Sequence, residues 1–195
     1  MDNIIKLSNN NQKKAWKIIN YLDIINVWSS IGAKANLIGS LKMGLLMNHL
    51  DIDFHIYSDT INVEDSFKAM ALLAKNPRIK KIEYVNNILT EEECIEWHAF
   101  YEDEEKRIWI IDMIHILKGS LYDGFFEKMA EKISACLNPE IKETIIRLKY
   151  ETPDNIKIMG IEYYQAVIKD GIKNYKEFED WRKLNPVNGI VTWMP

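Results

Sequence analysis

The run from Gly39 to Ser58 constrains this chain most: Gly39-Ser40-Leu41-Lys42-Met43-Gly44-Leu45-Leu46-Met47-Asn48-His49-Leu50-Asp51-Ile52-Asp53-Phe54-His55-Ile56-Tyr57-Ser58. It sets a glycine-serine pair behind one short apolar run, Lys34–Ile38, and two carboxylates at the head of another. Along a strand, side chains alternate faces. Asp51 and Asp53 therefore project together, while Ile52, Phe54 and Ile56 pack on the opposite side. Two acids held that close repel each other unless a cation lies between them. Oxygen donors of this kind suit a hard divalent ion, magnesium first. Gly39 lets the backbone approach a ligand closely, and Ser40 offers a hydroxyl and an amide donor at a helix start, which suits a phosphate.

A third acid is out of place further on. Asp112 lies inside Ile108-Trp109-Ile110-Ile111-Asp112-Met113-Ile114, where an ionised carboxylate needs a cation or several donors. That run belongs to an expected hairpin, Cys94–Tyr101 with Arg107–Ile116, joined by residues 102–106. Pairing symmetrical about Glu104 would put Glu96 opposite Asp112 and His98 opposite Ile110.

The remaining elements follow from periodicity. Residues 9–31 read as a helix on the spacing of Ala15, Ile18, Ile19, Leu22 and Ile25, stopped by Gly32, with Trp16 and Trp28 on its buried face or rim. Leu41–Met47 reads as a helical turn or two, Val63–Asn76 as a helix, Arg78–Val85 as a strand and 86–93 as a polar connection. From Gly119 on the pattern turns helical: Leu121–Leu137, a helix carrying Ile141, Ile145 and Leu148, then Ile156–Ile168 and Tyr175–Leu184. The expected class is α+β, a mixed β-sheet with helices packed on it. Residues 1–118 would form that core and residues 119–195 a helical region packed against it.

Charge and cysteines narrow the setting. A net charge of −4 argues against coating nucleic acid through bulk electrostatics. Cys94 and Cys136, the two cysteines, suit neither a disulfide framework nor a zinc site, so a cytoplasmic protein is expected. No secretory signal is visible in residues 1–11, and Ile108–Leu117 is too short to span a bilayer, so no membrane partner is expected.

The order Gly-Ser, short helix, Asp-x-Asp, later carboxylate resembles the nucleotidyltransferase superfamily, the DNA polymerase β-like fold, over residues 34–116. Small relatives read Gly-Ser-x-Ala-Arg-Gly after the first strand and Ser-Asp-x-Asp at the second. Here Gly44 stands where the last glycine falls, Met43 replaces the arginine, and His49-Leu50 precede Asp51. The resemblance implies transfer of a nucleoside monophosphate from an NTP to a hydroxyl, with release of pyrophosphate. Asp51, Asp53 and Asp112 would be catalytic and hold two Mg2+ ions, Asp112 serving as or helping the base. Gly39, Ser40 and Lys42 would bind the nucleotide, Lys42 replacing the missing positive charge. The C-terminal helices resemble those of small-molecule members such as antibiotic nucleotidyltransferases, which implies a small-molecule acceptor; a protein side chain or an RNA end stays open.

Other readings compete. The two acids could face solvent on an edge strand. Haloacid dehalogenase-type phosphatases and some glycosyltransferases also carry Asp-x-Asp, but the acids there end a strand, whereas here the strand follows them. A non-catalytic nucleotide-binding or interaction module on the same fold, or a metal-dependent phosphatase, are the rival functions. His49, His55, His98 and His115 lack metal-ligand spacing and read as structural, with His49 and His55 flanking the acids. Lys142, Arg147 and Lys149 read as a solvated face, or else as partners of a triphosphate. Tyr150, Tyr163, Tyr164 and Tyr175 read as core and rim, or else as a surface for stacking a base.

Overall fold

The computed structural model describes residues 2–187, 189 and 191–195. Five strands form one mixed sheet: β1 (Lys34–Leu37), β2 (Asp51–Ser58), β3 (Ile79–Asn87), β4 (Cys94–Glu102) and β5 (Ile108–Leu117), in the order β1-β2-β5-β4-β3. The central pair β2–β5 is parallel and the other three pairings are antiparallel. Alternation dictates the two faces. Ile52, Phe54, Ile56, Ile95, Trp97, Ala99, Trp109, Ile111 and Met113 point to the back and are buried. Three helices cover them: α1 (Asp2–Leu22), α2 (Ile24–Ser29) and α4 (Val63–Ala74).

The expected helix over 9–31 is two helices. Asp23 takes a left-handed conformation, φ 52°, and its carboxylate accepts from the Asn26 side chain, so the axis turns there and Trp28 is driven fully into the core. Trp16 stays half-exposed at the rim. The expected helix over 41–47 is a single turn, α3 (Gly39–Lys42), because Gly44 at φ 72° ends it. Leu45, Leu46 and Met47 follow outside any helix or strand and are buried, fastened by Ser8, Asn11 and Gln12 of α1, which donate to the carbonyls of Leu46, Met47 and Gly44.

The hairpin register differs from the expected one by two residues: His98 pairs with Asp112, and Glu96 with Ile114. Asp103 explains the shift. It is 3% exposed and accepts from the backbone N–H groups of Glu105 and Arg107, the Arg107 and Lys14 side chains and the Trp109 indole. These bonds close the turn over 103–107, with Lys106 at φ 64°. A shift by two keeps every side chain on its face.

The C-terminal helices are α5 (Phe125–Cys136), α6 (Pro139–Glu151), α7 (Gly160–Tyr164), continued by a π-helical turn over Gln165–Lys169, and α8 (Tyr175–Leu184). The helix expected from Ile156 thus starts four residues later. These helices build a second core with Met43, Leu45 and Met47, against which Ile4, Ile5 and Leu7 of α1 also pack. Among the described residues, no helix is long and apolar enough to cross a membrane.

Two histidines inside these layers make stability pH-dependent. His115 is 1% exposed. Ser58 donates to the Thr60 carbonyl, so its oxygen accepts from His115 Nε2–H at 2.7 Å. Nδ1 faces Ser66 Oγ, which in turn accepts from the Trp97 indole. The chain is complete with a neutral ring, and burial lowers the His115 pKa to about 4. His55, buried beside Phe126, is lowered to about 4 by burial as well, with Glu127 opposing. A depressed folded pKa gives stability that is whole above the unfolded value near 6.5 and drains as pH falls toward 4, at about 1.4 kcal/mol per unit and group. Urea midpoints measured between pH 7.5 and 4.5 should therefore fall more steeply for the wild type than for His115→Gln. Equal slopes for the two proteins would refute the assignment.

Candidate active site

The front of the sheet is built differently from its back. The parallel ladder sets Asp53 directly beside Asp112, and the antiparallel ladders extend that row through His98 to Glu83. The neighbouring row runs Asp51, Ile110, Phe100, Lys81. All three aspartates therefore lie on one face, and they open into a cavity of about 1320 Å3 roofed by α5 to α8. Gly39, Ser40 and Lys149 line it on the β2 side, and His98, Phe100 and Glu83 on the β4–β3 side.

Gly39 is obligatory. Its φ of 68° is left-handed, and a Cβ built there would lie 2.6 Å from Asp53 Cγ. The carboxylate fills the space a side chain would need, and it accepts from the Ser40 backbone N–H. Burial first, then the charges of Asp51 and Asp112, push the Asp53 carboxyl up to about 7, against the pull of Lys149 and the Ser40 amide. Asp51 is raised by burial and by Asp112, with His49, Lys149 and Lys157 opposing. Asp112 Oδ1 bonds His98 Nδ1 at 2.6 Å, and this bond raises the histidine's pKa against its partial burial.

The cation at the glycine turn comes from 109 residues away. Lys149, 7% exposed on α6, donates to Ser40 Oγ at 2.8 Å, to the Leu45 carbonyl at 3.1 Å and to Tyr164 OH at 3.0 Å. Tyr164 OH closes the triangle with Ser40 Oγ at 2.8 Å. Lys42 is exposed and does not line the cavity. Lys149 thus departs from the solvated-face expectation, and one signal was legible: it falls four residues after Ile145, on the helix's apolar stripe. Lys142 and Arg147 are half-buried on the same helix, Arg147 bridging to Glu143. Tyr163 stacks on Phe178 in the core, Tyr175 lines the cavity and Tyr150 is exposed. His49 lines the cavity, and His55 and His115 are internal.

The donor set suits a hard cation: three carboxylates on one face, with Asp51 raised by burial and by Asp112, and Asp53 by burial, Asp51 and Asp112. Among the described residues, the one group of three such donors within 4.8 Å of one another is Glu92, Cys94 and Glu96. Those two glutamates share the Asn87 amide, and burial with the two acids pushes the Cys94 thiol up to about 12, so this cluster is already satisfied within the fold.

No protein-family model and no curated protein sequence matches this chain. Solved structures do. A cytoplasmic RNA terminal U-transferase aligns with TM-score 0.53 and 13% identity over 85% of this chain and 50% of its own. The Cid1 poly(U) polymerase bound to MgGTP aligns with TM-score 0.59 and 12% identity over 85% of this chain and 54% of its own. The polymerase core of TRAMP, an RNA surveillance complex, aligns with TM-score 0.51 and 12% identity over 88% and 58%. The chain spans about half the length of these proteins. It has the nucleotidyltransferase core fold, a mixed five-stranded sheet with a C-terminal helical region, as the resemblance implied.

Proposed function

We propose that this chain is a metal-dependent nucleotidyltransferase that moves a nucleoside monophosphate from an NTP to the terminal hydroxyl of an RNA, releasing pyrophosphate. One observation carries the reading: Asp53, beside Asp112, sits in the hollow of the Gly39–Ser40 turn, with the buried Lys149 ammonium bonded to that turn's hydroxyl. Asp51, Asp53 and Asp112 are the residues that would hold Mg2+. Two such ions would supply charge neutralisation on the phosphates and activation of the attacking oxygen.

The chain's own residues account for the rest. Lys149 supplies a positive charge near the turn that Met43 lacks, and Tyr164 fixes the ammonium toward Ser40. Lys157 and His49, which line the cavity, add positive potential around Asp51 and suit the phosphate tail. His98 holds one oxygen of Asp112, leaving the other for the acceptor hydroxyl and its proton.

RNA is preferred to the small-molecule acceptor implied by the sequence because the similar solved structures include an RNA terminal U-transferase and the polymerase core of an RNA surveillance complex. The test incubates the protein with Mg2+, each labelled ribonucleoside triphosphate and either a single-stranded oligoribonucleotide or a pool of hydroxylated small molecules. Oligonucleotide extension with stoichiometric pyrophosphate is expected. Label on small molecules alone would restore the other acceptor class. Orthophosphate release would mark a phosphatase, and no turnover a binding module.

A further inference from the structure

The front face carries apolar side chains that no core uses. Phe100 and Ile110 are adjacent across the β4–β5 ladder, both line the cavity, and among the described residues neither joins a hydrophobic cluster. Ile110 in turn pairs with Asp51. Among the described residues the Phe100 ring pairs with no other aromatic ring, and the Lys81 ammonium, also paired with Glu83, lies 4.8 Å from its centroid. A flat apolar step thus lies one to two strand spacings, about 5–10 Å, from the carboxylates.

Chemistry decides what belongs on it. In an in-line displacement the entering oxygen and the departing pyrophosphate stand on opposite sides of the phosphorus. The phosphate-type donors, Ser40 and Lys149, flank Asp53 on the β1 side; the attacking hydroxyl must therefore arrive from the β5–β4 side, over Asp112. The diagonal from Phe100 to Asp112 across neighbouring strands is about 7 Å, a span comparable to that between a nucleoside's base and its ribose hydroxyl.

We infer that Phe100 and Ile110 form the platform on which the terminal base of the acceptor strand stacks, with Lys81 free to leave the ring for that strand's phosphate. The inference rests on the nucleotidyl-transfer reading and adds to it the residues that seat the acceptor. A base presents a π-face whatever its identity, so the platform favours a nucleoside end over a saturated sugar or alcohol without selecting among bases.

The experiment measures steady-state extension of a fluorescein-labelled oligoadenylate with Mg2+ and UTP. Phe100→Ala should raise the acceptor KM about tenfold, as expected for a lost base–aromatic stack, and leave the UTP KM within about twofold. Phe100→Trp should retain the wild-type acceptor KM. An acceptor whose last nucleotide is abasic should bring wild type and Phe100→Ala to the same value. Phe100 packs in no core, so an unchanged thermal midpoint will confirm that the variant folds. An unchanged acceptor KM in Phe100→Ala, or equal use of abasic and intact acceptors by the wild type, overturns the platform while the transfer reading stands. No extension and no pyrophosphate from the wild type overturns both.

Discussion

Asp53→Asn should abolish nucleotidyl transfer and, in EDTA, make the protein more stable. Activity should fall roughly a thousandfold or more, since a metal-holding carboxylate is worth several kcal/mol in such a site and each 1.4 kcal/mol is a factor of ten. The stability effect runs the other way. Burial and two neighbouring acids raise the folded pKa of Asp53 to about 7. The ionised form is therefore disfavoured in the fold, by an amount absent below about pH 3.8 and complete above about pH 7. Asparagine removes the charge and still accepts from the Ser40 amide. At pH 8 the gain should be on the order of 2–4 kcal/mol, or roughly 5–10 °C in thermal midpoint for a chain of this size. The gain should vanish near pH 4. Mg2+ should stabilise the wild type more than the variant. A variant that melts below wild type in EDTA at pH 8, or that keeps its activity, would refute the role given to this residue.

Gly39→Ala is the second large effect, and Gly32→Ala is its control. Both glycines have positive φ, 68° and 78°, so both alanines carry the strain of a left-handed residue, about 1–2 kcal/mol. A Cβ at Gly32 meets nothing within 4 Å, whereas one at Gly39 overlaps the Asp53 carboxyl group. The control should lose about 1 kcal/mol in chemical denaturation and keep its turnover. Gly39→Ala should lose at least about a hundredfold in kcat, because displacement of a reacting constellation by about 1 Å costs that much. Similar turnover in the two variants would show that the close approach at Gly39 has no bearing on the chemistry.

The physical reason these two sites can be named at all differs from the reason others could not. Asp51 and Asp53 share a face because neighbours two apart on a strand must, and Asp112 was conspicuous as an acid amid isoleucines. Sequence patterning also suggested the strands and C-terminal helices in chain order, with several ends displaced. Positive φ at Asp23 and Gly44 interrupts helices the apolar spacing would have continued, α1 begins at Asp2 instead of residue 9, and α5 and α7 each start four residues later than expected. His98 was missed as the partner of Asp112 because register depends on which residues a turn encloses. The five bonds gathered by Asp103 close the turn one residue later than symmetry about Glu104 supposes.

What the amino-acid order alone determined is therefore local: the alternation that aims the acids, the glycine that must precede them, the amphipathic stripes of the helices. What only the tertiary structure decided is which distant groups meet them. Lys42 lies close to the turn in sequence yet faces solvent, while Lys149 and Tyr164 arrive from over a hundred residues away and bond to Ser40. Covalent geometry sets the direction of a side chain relative to its neighbours within a few residues. Packing of α6 and α7 against the 43–47 segment sets the rest, and no short-range pattern encodes it.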